Sequence, residues 1–175
     1  NMVRVWGGAV YPNEAFLDFC DANGLLVWQD FMFACCMVRS DESFLDDIKA
    51  EAHQQITRMR NRTCLAIWCG NNESQKAWES WGWQDMYSLH GKDSIATERA
   101  YDTLFHQILP RAVQQLSSTA YWPSSPMPDP EWTPPSGDSI QRSGDEHAWR
   151  VWFDTLDFDY FSNHPGRFVS EYGLQ

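Results

Sequence analysis

The chain has 175 residues, 43% of them hydrophobic, which is enough for one ordinary domain with a real core and excludes a disordered segment. A formal net charge of -11 excludes a polyanion as the natural partner, because nucleic-acid binding draws on clustered Lys and Arg. Five cysteines (Cys20, Cys35, Cys36, Cys64 and Cys69), odd in number and without a CxxC pair, exclude a regular disulfide framework or zinc site and read as reduced thiols.

In chain order, Asn1 to Trp6 reads as a strand closed by Gly7-Gly8. Asn13 can cap a helix that places Phe16, Leu17 and Cys20 on one face and ends at Gly24. Leu25 to Trp28 is the next strand, an unbroken apolar run ending at Gln29-Asp30. The spacing of Phe44, Ile48, Ala52, Ile56 and Met59 predicts a helix over residues 43–60. Leu65 to Trp68 is a third strand, and a helix follows over 94–118 with Leu104, Phe105, Ile108 and Leu109 inward, kinked or split at Pro110. Thr119 to Trp122 is a fourth strand. Residues 123–145, rich in Pro, Ser, Gly and Asp, read as a long loop of the kind that is usually functional. His147 to Trp152 and Arg167 to Ser170 read as the fifth and sixth strands. No run reaches the roughly 20 apolar residues of a membrane helix.

Strands alternating with helices predict a parallel α/β sheet. The polar and aromatic clusters fall after strands: Trp6-Gly7-Gly8, Gln29-Asp30, Asn71-Asn72-Glu73, Trp122-Pro123-Ser124-Ser125-Pro126 and Glu171-Tyr172. In a (β/α)8 TIM barrel the active site is built from those positions. Six strands are legible where a closed barrel has eight, so the chain reads as an incomplete barrel over residues 1–175, lacking about one strand at each end. Glu73 and Glu171 each end an apolar run. Two carboxylates on separate strand ends suggest glycoside hydrolysis, in which one protonates the leaving oxygen and the other attacks the sugar. The ten Trp fit that chemistry, since a buried indole N–H needs a partner and an exposed ring can stack on a sugar face.

Five motifs, in order along nearly the whole chain, resemble the catalytic domain of the β-mannosidases of glycoside hydrolase family 2, and the bacterial ones most closely. They are Asn1-Met2-Val3-Arg4-Val5-Trp6-Gly7-Gly8, Val27-Trp28-Gln29-Asp30-Phe31-Met32-Phe33-Ala34-Cys35, Trp68-Cys69-Gly70-Asn71-Asn72-Glu73, Tyr121-Trp122-Pro123-Ser124-Ser125-Pro126 and Ser170-Glu171-Tyr172-Gly173. The resemblance implies that the legible strands are the second to the seventh of the barrel. It implies Glu73 as general acid/base and Glu171 as nucleophile of a retaining enzyme, no organic cofactor, and a terminal β-linked mannose of an oligosaccharide as substrate. It also implies β-sandwich domains before the barrel and further domains after it. β-Galactosidase or β-glucuronidase activity of the same family, or a non-catalytic carbohydrate-binding barrel, are the alternatives. The chain departs from the family at Ala9, where a third glycine is usual, and at Ala148, where an aromatic residue is usual. The second departure bears on what supports the nucleophile.

For Glu73 the plainer reading is a carboxylate capping the next helix, and for Glu171 a simple loop carboxylate. Asn72 is a candidate for the sugar 2-hydroxyl, with a helix-capping amide as the alternative. Trp6 and Trp81 are favoured as the sugar platform by resemblance, and Trp28, Trp122 and Trp149 are further candidates. Asp30 is a candidate for a sugar hydroxyl, the alternative being an ion pair with Arg4. His147 either contacts sugar, supports Glu171, or is a satisfied core histidine. His53, His90, His106 and His164 lack ligand spacing, and Asn61-Arg62-Thr63 and Asn72-Glu73-Ser74 read as chance matches to the glycosylation pattern.

Overall fold

The computed structural model describes residues 1–127, 144–154, 157–163 and 166–173. They gather into two compact units, Asn1–Ser124 and the residues from Ser125 onward.

In the first unit β1 (Met2–Val5), β2 (Leu26–Asp30), β3 (Leu65–Cys69) and β4 (Ala120–Trp122) form one sheet in chain order, every pair parallel. Strand alternation sorts the two faces. Val27 and Trp68 turn into the apolar core, whereas Arg4, paired in register with Trp28, shares the other face with Asp30.

The connections follow their sequence signals. Helix α1 (Glu14–Asn23) starts where Phe16 N–H donates to Asn13 Oδ1 at 2.9 Å, and ends at Gly24 in the left-handed region at φ 65°, where a Cβ would be strained. Leu17 and Cys20 are buried, but Phe16, expected on the same face, is 36% exposed. Adjacent residues on a helix are turned by about 100°, and burying both Leu17 and Cys20 leaves Phe16 on the flank. Helix α2 (Glu42–Met59) is capped by Asp41, whose Oδ1 accepts from Phe44 N–H at 3.1 Å. Its expected face holds, with Ala52, Ile56 and Met59 buried and Phe44 and Ile48 packed at the margin of the core.

Two short helices that the sequence did not announce, α3 (Ser74–Ser80) and α4 (Trp83–Met86), follow β3. Then α5 (Lys92–Thr103) runs through a π turn (Leu104–Ile108) into α6 (Leu109–Leu116). Pro110 therefore does not split the helix. It sits in the first turn of α6, and the widened turn before it has Leu109 N–H reaching back five residues to the Leu104 carbonyl. That spacing makes room for a ring that would clash with a carbonyl four residues back. Phe105, Leu104 and Leu109 on this segment are fully buried with Leu17, Val27, Ile56, Met59 and Trp68. Phe31 stacks on Trp68 with centroids 4.7 Å apart. Each such side chain contributes about 1.5–3 kcal/mol by leaving water.

The second unit holds β5 (Glu146–Ala148), α7 (Arg150–Phe153), α8 (Asp159–Asn163) and β6 (Val169–Tyr172), with β5 and β6 parallel. Two expectations change here. The strand expected over 147–152 stops at Ala148 and turns into α7, because its partner strand runs no further than Tyr172. The Trp149 ring instead covers the chain at Gly173, where an added Cβ would lie 2.1 Å from it. The sixth strand begins two residues later than expected, so Glu171 lies inside it, in register with His147. Of the loop expected over 123–145, residues 128–143 lie outside the described residues, as does His164. Among the described residues no helix is long and apolar enough to cross a membrane.

Candidate active site

The first unit presents an ion-paired cluster on the core-distal face of its sheet. Asp30 is fully buried at the end of β2. Its two oxygens accept from Arg4 Nε at 3.2 Å and Nη2 at 2.8 Å, from the Trp28 indole at 2.7 Å and from the Gly7 amide at 3.0 Å. Burial pushes its carboxyl above the usual carboxylate range, and Arg4, Trp28 and Gly7 pull it back down. All these partners are donors, so the ionised form is the one this shell fits. The ion pair with Arg4 is thus the alternative that the structure contains. The Asp30 oxygens and the Trp28 N–H are committed inside the protein rather than presented to a ligand. Gly7 is required for the approach, since a Cβ there would lie 2.6 Å from the Phe33 carbonyl.

Arg4 carries this order to Asn72. Its guanidinium lies 5.5 Å from the centroid of the Trp28 ring and donates from Nη2 to Asn72 Oδ1 at 2.9 Å. The amide oxygen of Asn72 is thereby fixed on Arg4, which turns its NH2 group toward Cys35, with Nδ2 3.9 Å from Sγ. The Asn72 backbone is pinned as well, donating to the Phe33 carbonyl and accepting from Cys35 N–H, both at 2.8 Å. Asn72 does not cap the following helix. That task falls to Asn71, fully buried, whose Oδ1 accepts from Ser74 N–H at 3.1 Å and from the Ser124 hydroxyl at 2.9 Å.

Glu73 follows with φ 58° and ψ 0°, a left-handed conformation for a non-glycine residue. It occupies the cap position of α3 yet makes no side-chain cap bond, so the capping alternative does not describe it. The half-buried carboxylate instead accepts from the Cys35 thiol, 3.4 Å from Oε2. Cys35 is itself left-handed at φ 47°. Two facing residues held in a costly backbone region mark a position where geometry is kept against stability. Cys35 was not singled out by sequence reasoning as a site residue, and its place in the Phe33-Ala34-Cys35 motif was the available signal.

The remaining aromatic candidates of this unit are dispersed. Trp6 is 45% exposed with its ring over Gly8, and Trp81 is 43% exposed at the end of α3, edge-on to Trp83 at 6.3 Å. Trp122 is half-buried at the end of β4, and its carbonyl accepts from Gly70 N–H at 2.8 Å. A cavity of about 340 Å³ is lined by Cys36, Ser74, Trp78, Trp83 and Tyr101 among others, and Glu73 does not line it.

The second unit is organised around Glu171. Its Oε2 accepts from the Trp149 indole at 3.0 Å and lies 3.3 Å from His147 Nδ1. The Trp149 N–H thus reaches the carboxylate despite the alanine at position 148. His147 Nε2 is 2.9 Å from the Ser125 hydroxyl, which is 2.6 Å from Asp145 Oδ2. Ser170 also donates to Asp145 Oδ2, and the Met127 amide donates to Oδ1 at 2.9 Å. Sequence reasoning missed Asp145 and named Ser125 only as part of a motif. They lie 20 residues apart, across a Pro-rich stretch with no period to align them. Within each unit taken alone, no three His, Cys, Asp or Glu side chains among the described residues gather as a metal set.

No profile of a known protein family matches the chain. It is 36% identical to β-mannosidase B of Emericella nidulans and 37% identical to that of Thermothelomyces thermophilus, each over 99% of the chain and 20% of the relative. Among solved structures, the β-D-mannosidase of Dictyoglomus thermophilum aligns over the whole chain with a TM-score of 0.81 and 37% identity. A β-glucuronidase of Bacteroides uniformis aligns over 69% of the chain with a TM-score of 0.55 and 21% identity, a likeness of fold alone. The chain spans about a fifth of the length of the curated relatives it matches. Over nearly its whole length the chain is thus similar to one region of longer β-mannosidases.

Proposed function

We propose that the chain is the central part of a (β/α)8 barrel, its second to seventh strands, in a longer enzyme that removes terminal β-linked mannose from oligosaccharides with retention of configuration. The observation that carries the reading is the contrasting settings of two glutamates. Glu73 is held in a strained turn directly after β3, and Glu171 lies in β6 under the Trp149 N–H with the His147 ring beside it.

In this reading Glu171 attacks the anomeric carbon while Glu73 protonates the departing glycosidic oxygen, giving a glycosyl ester on Glu171. Glu73 then takes a proton from the water that cleaves the ester. Trp149 and His147 hold the attacking oxygen in place. Asn72, oriented by Arg4 and through it by Asp30, offers an N–H to the 2-hydroxyl, whose axial orientation distinguishes mannose from glucose. Such a contact strengthens in the oxocarbenium-like transition state. Trp6, Trp81 and Trp122 are the candidates for stacking on the sugar. The acidic balance fits a neutral saccharide better than a nucleic acid or an anionic membrane surface.

The test is a panel of nitrophenyl glycosides on the full-length protein. Turnover of the β-mannoside well above the β-galactoside and β-glucuronide is expected. Preference for either of the latter would reassign the substrate, and no turnover of any would leave a binding barrel.

A further inference from the structure

The cavity of about 340 Å³ in the first unit is walled by three segments: Cys36 and Val38 after β2, Trp78 and Trp83 on α3 and α4, and Thr97 and Tyr101 on α5. Val38 and Trp83 are buried, whereas Trp78 and Tyr101 are half-buried. Bonds between the segments hold its shape. The Trp78 indole donates to Glu98 Oε1 at 3.1 Å and so ties α3 to α5. The Tyr101 hydroxyl accepts from Asn71 Nδ2 at 3.1 Å and donates to Gln75 Oε1 at 3.4 Å. Cys36 N–H donates to Ser74 Oγ at 3.3 Å and ties the loop after β2 to the same helix. A pocket formed in advance takes a ligand at less cost in ordering.

The lining combines aromatic rings with side chains that mostly accept hydrogen bonds: Glu79, Glu98, Asp102 and Gln75, with His106 beside them. An occupant must therefore bring donors. An organic cation and a neutral saccharide both do so. A compact cation is held best where carboxylates converge, and no three of the acidic, histidine and cysteine side chains in this lining come within 4.8 Å of one another. A sugar ring instead carries hydroxyl groups around its edge and C–H groups on its faces, which suits separated acceptors beside indole and phenol rings. The volume falls within the range of small-molecule pockets, about 300–1,000 Å³. We propose that this cavity is an accessory saccharide site, separate from the reacting carboxylates, in which Trp78 supplies the stacking face and Glu98, Glu79 and Asp102 accept from sugar hydroxyls. That the sugar is a mannosyl unit rests on the β-mannosidase reading, whereas its being a neutral saccharide rests on the lining alone. Glu73 does not line the cavity but Ser74 does, so the occupant touches the helix that begins at the Glu73 turn.

The test uses the full-length protein, first treated with a 2-deoxy-2-fluoro-mannosyl fluoride so that a covalent label on Glu171, located by peptide mapping, occupies the active site. The labelled protein is then titrated calorimetrically with a β-linked mannobiose and, separately, with choline. Saturable binding of mannobiose is expected. Trp78→Ala is expected to weaken it by about 10-fold or more through loss of the stacking face. Thr97→Trp is the second variant, which leaves the rings in place and fills the space, and it is expected to abolish binding. No binding of mannobiose by the labelled wild type, or binding that folded Trp78→Ala and Thr97→Trp proteins both retain, would overturn the site. Binding of choline without mannobiose, lost in Trp78→Ala, would overturn it in favour of a cation pocket. If no label forms on Glu171, the functional reading has failed, and the same titrations of the unlabelled protein and its two variants decide the pocket by the same outcomes.

Discussion

Replacing Glu73 by Gly and by Ala separates what its backbone costs from what its side chain does. At φ 58° a residue with a Cβ carries about 1–2 kcal/mol of strain, and glycine carries none. Glycine gives back about 0.5–1 kcal/mol through its freer unfolded chain. Both variants lose the same side-chain contact, the bond from the Cys35 thiol, and neither loses a helix cap because Glu73 makes none. The difference between them is therefore a backbone term of about 0 to 1.5 kcal/mol, centred near about 0.75 kcal/mol, in favour of Gly. In a domain of about 150–250 residues, about 1 kcal/mol shifts the melting point by about 2–4 °C, and in a longer protein by less, so Glu73→Gly is expected to melt higher than Glu73→Ala by that amount or less. In an ordinary helix or strand the order is reversed. Calorimetry of both variants in the full-length protein reads the difference directly, and both are expected to lack hydrolysis of unactivated mannosides. A Glu73→Ala protein more stable than Glu73→Gly would refute the claim that this glutamate is held in a strained turn for its chemistry.

The division of labour follows from the same assignment. Glu171→Ala is expected to abolish turnover on every substrate, whereas Glu73→Ala should still be glycosylated by a dinitrophenyl mannoside, accumulate an added hexose on Glu171 by mass spectrometry, and release β-mannosyl azide when azide is supplied. A crystal structure of the full-length protein is expected to place the two carboxyl groups about 5–5.5 Å apart, and a separation of about 8–9 Å would mean inversion. Residues 1–175 alone are expected to show negligible hydrolysis, since misplacement of reacting groups by about 1 Å already costs large factors in rate, and robust turnover by the purified chain would contradict this. Finally, Asp21 is partly desolvated, yet Thr63, Cys64 and Arg62 hold its carboxyl down to about 2 from 3.8. A carboxyl lowered on folding stabilises above its unfolded value, and that contribution is lost as pH falls toward 2. Asp21→Asn should therefore flatten the stability profile between about pH 4 and 2 in acid denaturation, with little change in the slope at neutral pH.

Local signals made the first unit legible where they were complete. Asn13 and Gly24 bracket α1, and the three-and-four spacing from Phe44 to Met59 is α2 with the same inward face. Such signals were missing between Glu73 and Lys92. Trp78, Trp81 and Trp83 have no clean period, and neither the Asn71 cap nor the left-handed Gly82 stands out before the fold is known. His147 to Trp152 is aromatic and apolar enough to read as a strand, but a strand needs a partner of equal length, and β6 supplies partners only to Tyr172. In the site, motifs pointed to the residues with chemistry and not to those that hold them. Arg4 was named only as an alternative partner for Asp30. Nothing local links it to Asn72, which lies 68 residues away, and Asp145 has no neighbour in sequence that hints at Ser125.

The π turn ahead of Pro110 bears on how this segment tolerates length change. Such a turn holds one residue more than the helical turn it replaces, and so behaves as an insertion carried inside a continuous helix. Removing any one residue from Phe105 to Ile108 would restore ordinary spacing and leave a sound backbone. It would also rotate everything on one side by about 100° relative to the other. Tyr101, whose hydroxyl accepts from Asn71 Nδ2 at 3.1 Å, could not then keep that bond while Leu109 and Val113 stay in the core. The extra residue is a phase adjustment between two faces of one rod, and without it the asparagine that caps α3 would keep its bonds to Ser124 and the Pro123 carbonyl but lose the one to Tyr101.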